Sequence, residues 1–127
     1  TVQRGITLFQ RHERRLVLGV TPAKSHPMWC LRIERETVRP FMDGAGLHLR
    51  SQDLPAAYVM NGGFYLIAPD EFRQLRCFYS ENVIPLVIDD PEESMDIDTE
   101  WDWMIAESAI RRHDPAALLM RVRDQTA

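Results

Sequence analysis

Two short apolar runs without polar interruption, Leu16 to Val20 and Val83 to Ile88, constrain the fold of this chain more than any other feature. A strand that alternates apolar and polar residues can leave one face in water. A run without alternation has to be covered on both faces, as in parallel or mixed sheets layered with helices. The first run is closed by Thr21 and Pro22, and the second opens onto a polar connection from Asp89 to Ser94.

The rest of the chain fits around these two strands. Val2, Ile6 and Phe9, with Gly5 as a weak point, predict a helix ending near Arg11, His12, Arg14 and Arg15, where cations suit the negative helix end. Met28 to Glu34 alternates, with Trp29, Leu31 and Ile33 against Cys30, Arg32 and Glu34, and Thr37 to Phe41 forms a second such strand; together they predict a hairpin with Arg35 and Glu36 at its tip. Asp43 to Gly46 reads as a turn, Asp53-Leu54-Pro55 as the end of an extended piece, and Tyr58 to Ile67 as a strand around Gly62-Gly63, where paired glycines imply close backbone approach. Pro69, Asp70 and Glu71 open a helix reaching about Arg76. Thr99 starts another, with Glu100 and Asp102 in its first turn and Trp101, Ile105 and Ala109 on one stripe; Pro115 interrupts it, and Ala116 to Arg123 forms a last short helix. The order helix, strand, hairpin, strand, helix, strand, helix predicts an α/β fold with a mixed sheet of about three main strands. No Gly-rich strand-to-helix phosphate loop is present, which argues against a doubly wound domain.

At 127 residues and 45% hydrophobic content the chain can bury a core, and it reads as a single domain or part of one. Its net charge of −4 is unevenly placed: residues 1 to 50 hold nine Lys or Arg and four Asp or Glu. Eight carboxylates then crowd residues 89 to 102, with no basic residue from Asn82 to Ile110, so nucleic acid is not an expected partner. No apolar run is long enough to span a membrane, and no signal-peptide pattern is present, so a cytoplasmic location is expected. Cys30 and Cys77 match neither a disulfide scaffold nor a zinc spacing and are expected to be reduced, buried thiols. The absence of an initiator Met suggests a portion of a longer protein.

Three segments could carry chemistry. In Ser94-Met95-Asp96-Ile97-Asp98-Thr99-Glu100 an extended backbone would project Asp96 and Asp98 to one side and turn Met95 and Ile97 inward. Two such carboxylates repel unless a hard cation joins them, and magnesium favours one or two carboxylates plus phosphates and water. The alternative is that Asp98 or Thr99 caps the helix while the other acids are solvated. In Tyr58 to Tyr65, Asn61 and Tyr65 lie four apart, and an ideal strand would present both on one face to a polar ligand; a bulged core strand with a hydrogen-bonded Asn is the other reading. Phe78 and Tyr79 could form an apolar platform for a ligand methyl or ring, or pack in the core. His12, His26, His48 and His113 have no partner at ligand spacing and read as structural or exposed, and no Ser sits in a G-x-S-x-G elbow.

Taken in order, these pieces resemble the C-terminal half of the acylneuraminate cytidylyltransferase (CMP-sialic acid synthetase) family. Ser25-His26-Pro27-Met28-Trp29 is similar to its His-His-Pro segment and Gln52-Asp53-Leu54-Pro55 to its Gln-x-Leu-Pro. Asn61-Gly62-Gly63-Phe64-Tyr65 resembles Asn-Gly-Ala-Ile-Tyr, and Met95 to Glu100 resembles Ile-Asp-Ile-Asp-Thr-Glu.

The resemblance implies part of a nucleotidyltransferase-type three-layer α/β fold. Its reaction joins CTP and a nonulosonic acid, N-acetylneuraminate or a relative such as legionaminate, into the CMP-sugar with release of pyrophosphate. It implies Asp96 and Asp98 as catalytic residues and magnesium ligands, and Gln52, Asn61, Gly62, Tyr65, Phe78 and Tyr79 as sugar contacts, the two aromatics lining the acylamino pocket. It also implies that residues 28–41 form a hairpin that enters a second subunit of a homodimer. Trp29 and Ser51 stand where some relatives have basic residues, with Arg50 and Lys24 as neighbours. The CTP-binding loop of the family's N-terminal half has no counterpart, so residues 1–127 read as a partial domain that is inactive alone. The alternatives are a non-catalytic dimerisation or sugar-binding module on the same scaffold, and a metal-dependent glycosyltransferase.

Overall fold

The computed structural model describes residues 1–112, so the helix expected over Ala116 to Arg123 lies outside the described residues. In chain order the elements are α1 (Val2–Arg11), β1 (Val17–Pro22), β2 (Leu31–Glu34), β3 (Thr37–Pro40), β4 (Tyr58–Leu66), α2 (Pro69–Leu75), β5 (Ile84–Val87) and α3 (Glu100–Arg112), with short 3-10 turns at Pro27–Trp29 and Ser51–Asp53. Thr1–Asp89 forms one compact unit, and the described residues from Asp90 to Arg112 belong to another. The α/β class, the element order and the mixed sheet expected from the sequence are all present.

The first unit is built on a three-stranded sheet in the order β4-β1-β5, with β4 antiparallel and β5 parallel to the central β1. The two apolar runs are thus neighbours. Val17, Leu86 and Ile88 form the buried cluster, with Leu8 and Phe9 of α1 and Phe64, Leu66 and Ile84 packed against it. Leu16 and Leu18, which alternate onto the opposite face of β1, are buried as well. Gly5 is therefore less a weak point of α1 than its contact surface: a Cβ there would fall on the Phe64 ring.

Strand β5 lies at an edge of the sheet. Its Ile84 and Ile88 N–H groups donate inward to the carbonyls of Leu16 and Val20, both at 2.8 Å, so Pro85, which has no N–H, falls on the outward side where the ladder loses nothing. The outward Val87 carbonyl accepts from the Arg4 guanidinium of α1 at 2.8 Å.

The second sheet is the hairpin β2-β3, with Ile33 opposite Val38 and Leu31 opposite Pro40. Its tip is Arg35-Glu36 as expected, with Arg35 at φ 58. The strand starts later than the alternation suggested, because His26 caps a 3-10 turn beginning at Pro27 and this turn takes up Met28 and Trp29. Asp53 likewise ends a 3-10 turn rather than an extended piece. Alternation leaves Leu31, Ile33, Val38 and Pro40 on one face of the hairpin and Arg32, Glu34 and Arg39 on the other. Glu34 bridges the two arginines, at 3.0 and 3.1 Å. Both cysteines are exposed and free, correcting the expectation that they are buried: Cys30 stands at the hairpin base and Cys77 in the turn after α2.

Candidate functional site

Five of the expected substrate contacts, Asn61, Gly62, Tyr65, Phe78 and Tyr79, lie on or beside β4 and α2, in the first unit. Between the pairs Leu18↔Tyr65 and Val20↔Met60 only Gly19 stands on β1, while Asn61 to Phe64 stand on β4. Strand β4 therefore bulges at the Asn-Gly-Gly-Phe segment. Gly62 turns through φ +72, a conformation that few L side chains adopt. The Asn61 Oδ1 accepts from the Gly63 N–H at 3.0 Å and closes the turn.

The bulge overturns one geometric expectation. Asn61 Oδ1 would lie only 2.7 Å from a Cβ on Gly19, so this amide covers the Gly19 side of the sheet. Tyr65 pairs with Leu18, and Leu18 and Gly19 point oppositely along the regular β1 ladder. Asn61 and Tyr65 are thus on opposite faces, since three extra residues break the two-residue period that would have aligned them. The Asn61 Nδ2 is buried and without a hydrogen-bond partner among the described residues.

On the other face Tyr65 meets an aromatic cluster. Its ring lies 5.2 Å from Phe78 at 58°, and Phe78 lies 4.9 Å from Phe72 of α2 at 34°. The local cause is the end of α2. Arg76 takes a left-handed conformation at φ 53 and ψ 23, donating its N–H to the Phe72 carbonyl at 2.8 Å, so the chain reverses and carries Phe78 back over the helix. The Cys77 thiol holds the same turn by donating to the Tyr79 carbonyl at 3.2 Å. Phe78 and Tyr65 stay about 40% exposed, so they form an open shelf rather than core packing. Tyr79 is more exposed still and joins none of these ring contacts among the described residues. Phe72 is absent from the sequence-derived set. Its signal was the six-residue spacing to Phe78, interpretable only with a helix reversal at an arginine rather than a glycine.

Gln52 sits exposed in the second 3-10 turn, beside the Arg50–Asp53 ion pair at 3.1 Å. His26 ties this region together: Nε2 donates to the Pro55 carbonyl at 3.0 Å while Nδ1 accepts from the Met28 N–H at 3.2 Å. It is a structural histidine.

The acidic motif belongs to the second unit. Residues 95–98 have no regular structure, and both Asp96 and Asp98 are exposed. Ile97 is 48% exposed, so the inward turn expected for it does not occur. The N-cap of α3 is formed reciprocally by Thr99 and Asp102: the Thr99 N–H and hydroxyl donate to Asp102 Oδ2 at 2.9 and 2.6 Å, and the Asp102 N–H donates to Thr99 Oγ1 at 3.2 Å. Asp98 is thereby released from capping. Among the described residues Asp96 accepts only from the adjacent Ile97 N–H, at 3.1 Å, and neither aspartate forms an ion pair. No group of three or more His, Cys, Asp or Glu arranged as a metal site occurs among the described residues. A pair of free carboxylates still fits magnesium, which takes one or two protein carboxylates and completes its shell with water and phosphate.

No protein-family model matches the chain. The chain is similar to the C-terminal half of a CMP-nonulosonic acid synthase. The relative is the CMP-N,N'-diacetyllegionaminic acid synthase of Legionella pneumophila, 32% identical over 104 residues. These make up 79% of this chain and 43% of the relative, so the chain spans less than half the length of the protein it matches. Among the described residues no helix is long and apolar enough to cross a membrane.

Proposed function

We propose that these residues form the sugar-binding and metal-binding part of a cytidylyltransferase that joins CTP to a nonulosonic acid, with a nucleotidyltransferase-type three-layer fold in the whole enzyme. The observation that carries this reading is at Asp96 and Asp98: helix α3 is capped without them, leaving both carboxylates exposed and unpaired at the motif shared with the family. Asp96 and Asp98 would hold a magnesium ion, which when bound supplies positive charge against the phosphate oxygens of the nucleotide. One of the two carboxylates would accept the proton of the anomeric hydroxyl as that oxygen attacks the α-phosphate, the bond from the α-phosphorus to the bridging oxygen breaks, and pyrophosphate leaves.

Tyr65 and Phe78 offer the sugar an apolar shelf with a phenol at its rim, a pairing suited to an acylamino group, and Tyr79 extends that surface. Gln52 and Gly62 contribute polar contacts. Asn61 acts differently from the sequence expectation, because its oxygen is already engaged by Gly63; it shapes the bulge and keeps its buried Nδ2 as a donor. The hairpin's apolar face is the dimerisation surface, and a cytoplasmic enzyme acting on soluble substrates is the expected setting. The family's CTP-binding loop has no counterpart in residues 1–127, so these residues alone are expected to release no pyrophosphate.

The test is pyrophosphate release by the full-length parent, supplied with CTP, magnesium and either N-acetylneuraminate or N,N'-diacetyllegionaminate. Turnover of one acid supports the reading. Sugar binding without turnover would favour a binding module, and neither binding nor turnover would reject both.

A further inference from the structure

We propose that Phe72 is a positioning residue that sets the orientation of Phe78 and so tunes selectivity for the acylamino group of the sugar; this rests on the cytidylyltransferase reading above. The residues that define the shelf differ in how they are held. Tyr65 is fixed by the β1–β4 ladder through its pairing with Leu18. Phe78 has no such support: it follows the end of α2 in a segment without regular secondary structure. Its ring is located by two aromatic contacts, Tyr65 on one side at 5.2 Å and Phe72 on the other at 4.9 Å.

The two contacts are unequal in kind. Phe72 and Phe78 lie at 34°, nearer to stacked than to edge-on, while Tyr65 and Phe78 cross at 58°. A near-stacked partner restricts rotation of the ring more than a crossed one, because turning it would drive an edge into the neighbouring face. Phe72 is itself anchored, since its backbone carbonyl accepts the capping N–H of Arg76 and α2 starts from Pro69 at its first turn. The fixed order is therefore helix, Phe72, Phe78, Tyr65. Removing Phe72 frees Phe78 to leave the shelf without altering any group that touches the sugar.

Selectivity follows from this arrangement. An acylamino methyl needs both rings of the shelf, whereas a hydroxyl at the same carbon needs neither. Loss of Phe72 should weaken the first kind of sugar and spare the second. Aromatic pairs of this geometry contribute enough for up to about a tenfold change in affinity.

The experiment measures binding of two probes to the 127-residue chain by titration calorimetry: N-acetylneuraminate, and the deaminated acid that carries a hydroxyl in place of the acetamido group. Phe72→Ala is expected to weaken N-acetylneuraminate by up to about tenfold while leaving the deaminated acid within about twofold, and Phe72→Leu is expected to fall between Phe72→Ala and wild type. The Phe78 ring-proton shifts should move toward unstacked values in both variants. Equal weakening of both probes, or no weakening of either, overturns the role of Phe72 while the wild-type affinity upholds the sugar site. Should Phe72→Ala fail to fold, Phe72→Leu decides the matter on the same ratio. Absence of binding of either acid to the wild-type chain overturns the sugar-site reading, and the role of Phe72 with it.

Discussion

Gly19 shows how much a single residue decides. It is the one residue of β1 that faces the Asn61–Phe64 bulge, and a Cβ there would meet Asn61 Oδ1 at 2.7 Å and Phe64 Cβ at 3.2 Å. Gly19→Ala is expected to cost about 1–3 kcal/mol and to disturb the bulge, read as a lower urea midpoint together with loss of sugar binding. Arg76 has the opposite balance. A non-glycine residue held at φ 53 is strained, so Arg76→Gly should raise stability by about 0.5–1 kcal/mol without moving Phe78. At Asp96 and Asp98 the chemistry outweighs the structure. Either residue changed to Asn in the full-length parent is expected to cut turnover by about 100-fold or more, because a proposed metal ligand and its charge would be lost. The melting temperature should hold, since among the described residues their only side-chain hydrogen bond is the one from Ile97 N–H to Asp96. Unchanged magnesium-dependent turnover would refute the role.

Among the elements, α3 was most readily read from the sequence and β4 least. Thr99, three residues before Asp102, announces a helix start, and the structure places the cap there. Thr99→Ala should cost about 1 kcal/mol, measurable as earlier thermal loss of helical signal. Strand β4 was visible as a strand, and its glycines as a close approach, but the faces of Asn61 and Tyr65 were not. A bulge changes which residues share a face without changing composition or hydrophobicity, so no local pattern records it. The hairpin lies between these cases. Its alternation correctly separates an apolar from a charged face, while its first residues were taken by a 3-10 turn once His26 and Pro27 supplied a cap and a fixed φ. The thiols of Cys30 and Cys77 were expected to be buried on residue type alone, yet both fall at element ends, where turns face solvent.

For the molecule as a whole, the hairpin's apolar face carries the next expectation. Leu31, Ile33 and Val38 are all more than half exposed, Ile33 at 79%. A two-stranded sheet with one bare apolar face is marginal in water, and covering that face with a second copy removes it from solvent. The double change Ile33→Lys with Val38→Lys should shift the proposed dimer to monomer in sedimentation velocity while leaving far-ultraviolet dichroism intact. A wild-type chain that sediments as a monomer at micromolar concentration would remove the dimer from the proposal.

The amino-acid sequence determined which segments become helices and strands, that the sheet is mixed, where α3 begins, and which motifs resemble those of the cytidylyltransferases. Those properties are written in near-neighbour spacing, caps and uninterrupted apolar runs, each of which acts within a few residues. Only the tertiary structure decided that Asn61 and Tyr65 part to opposite faces and that Phe72 completes the aromatic cluster. These depend on register against a distant strand and on a backbone reversal at a non-glycine residue. Such choices are settled by the packing of the surrounding elements, to which no short stretch of sequence has access.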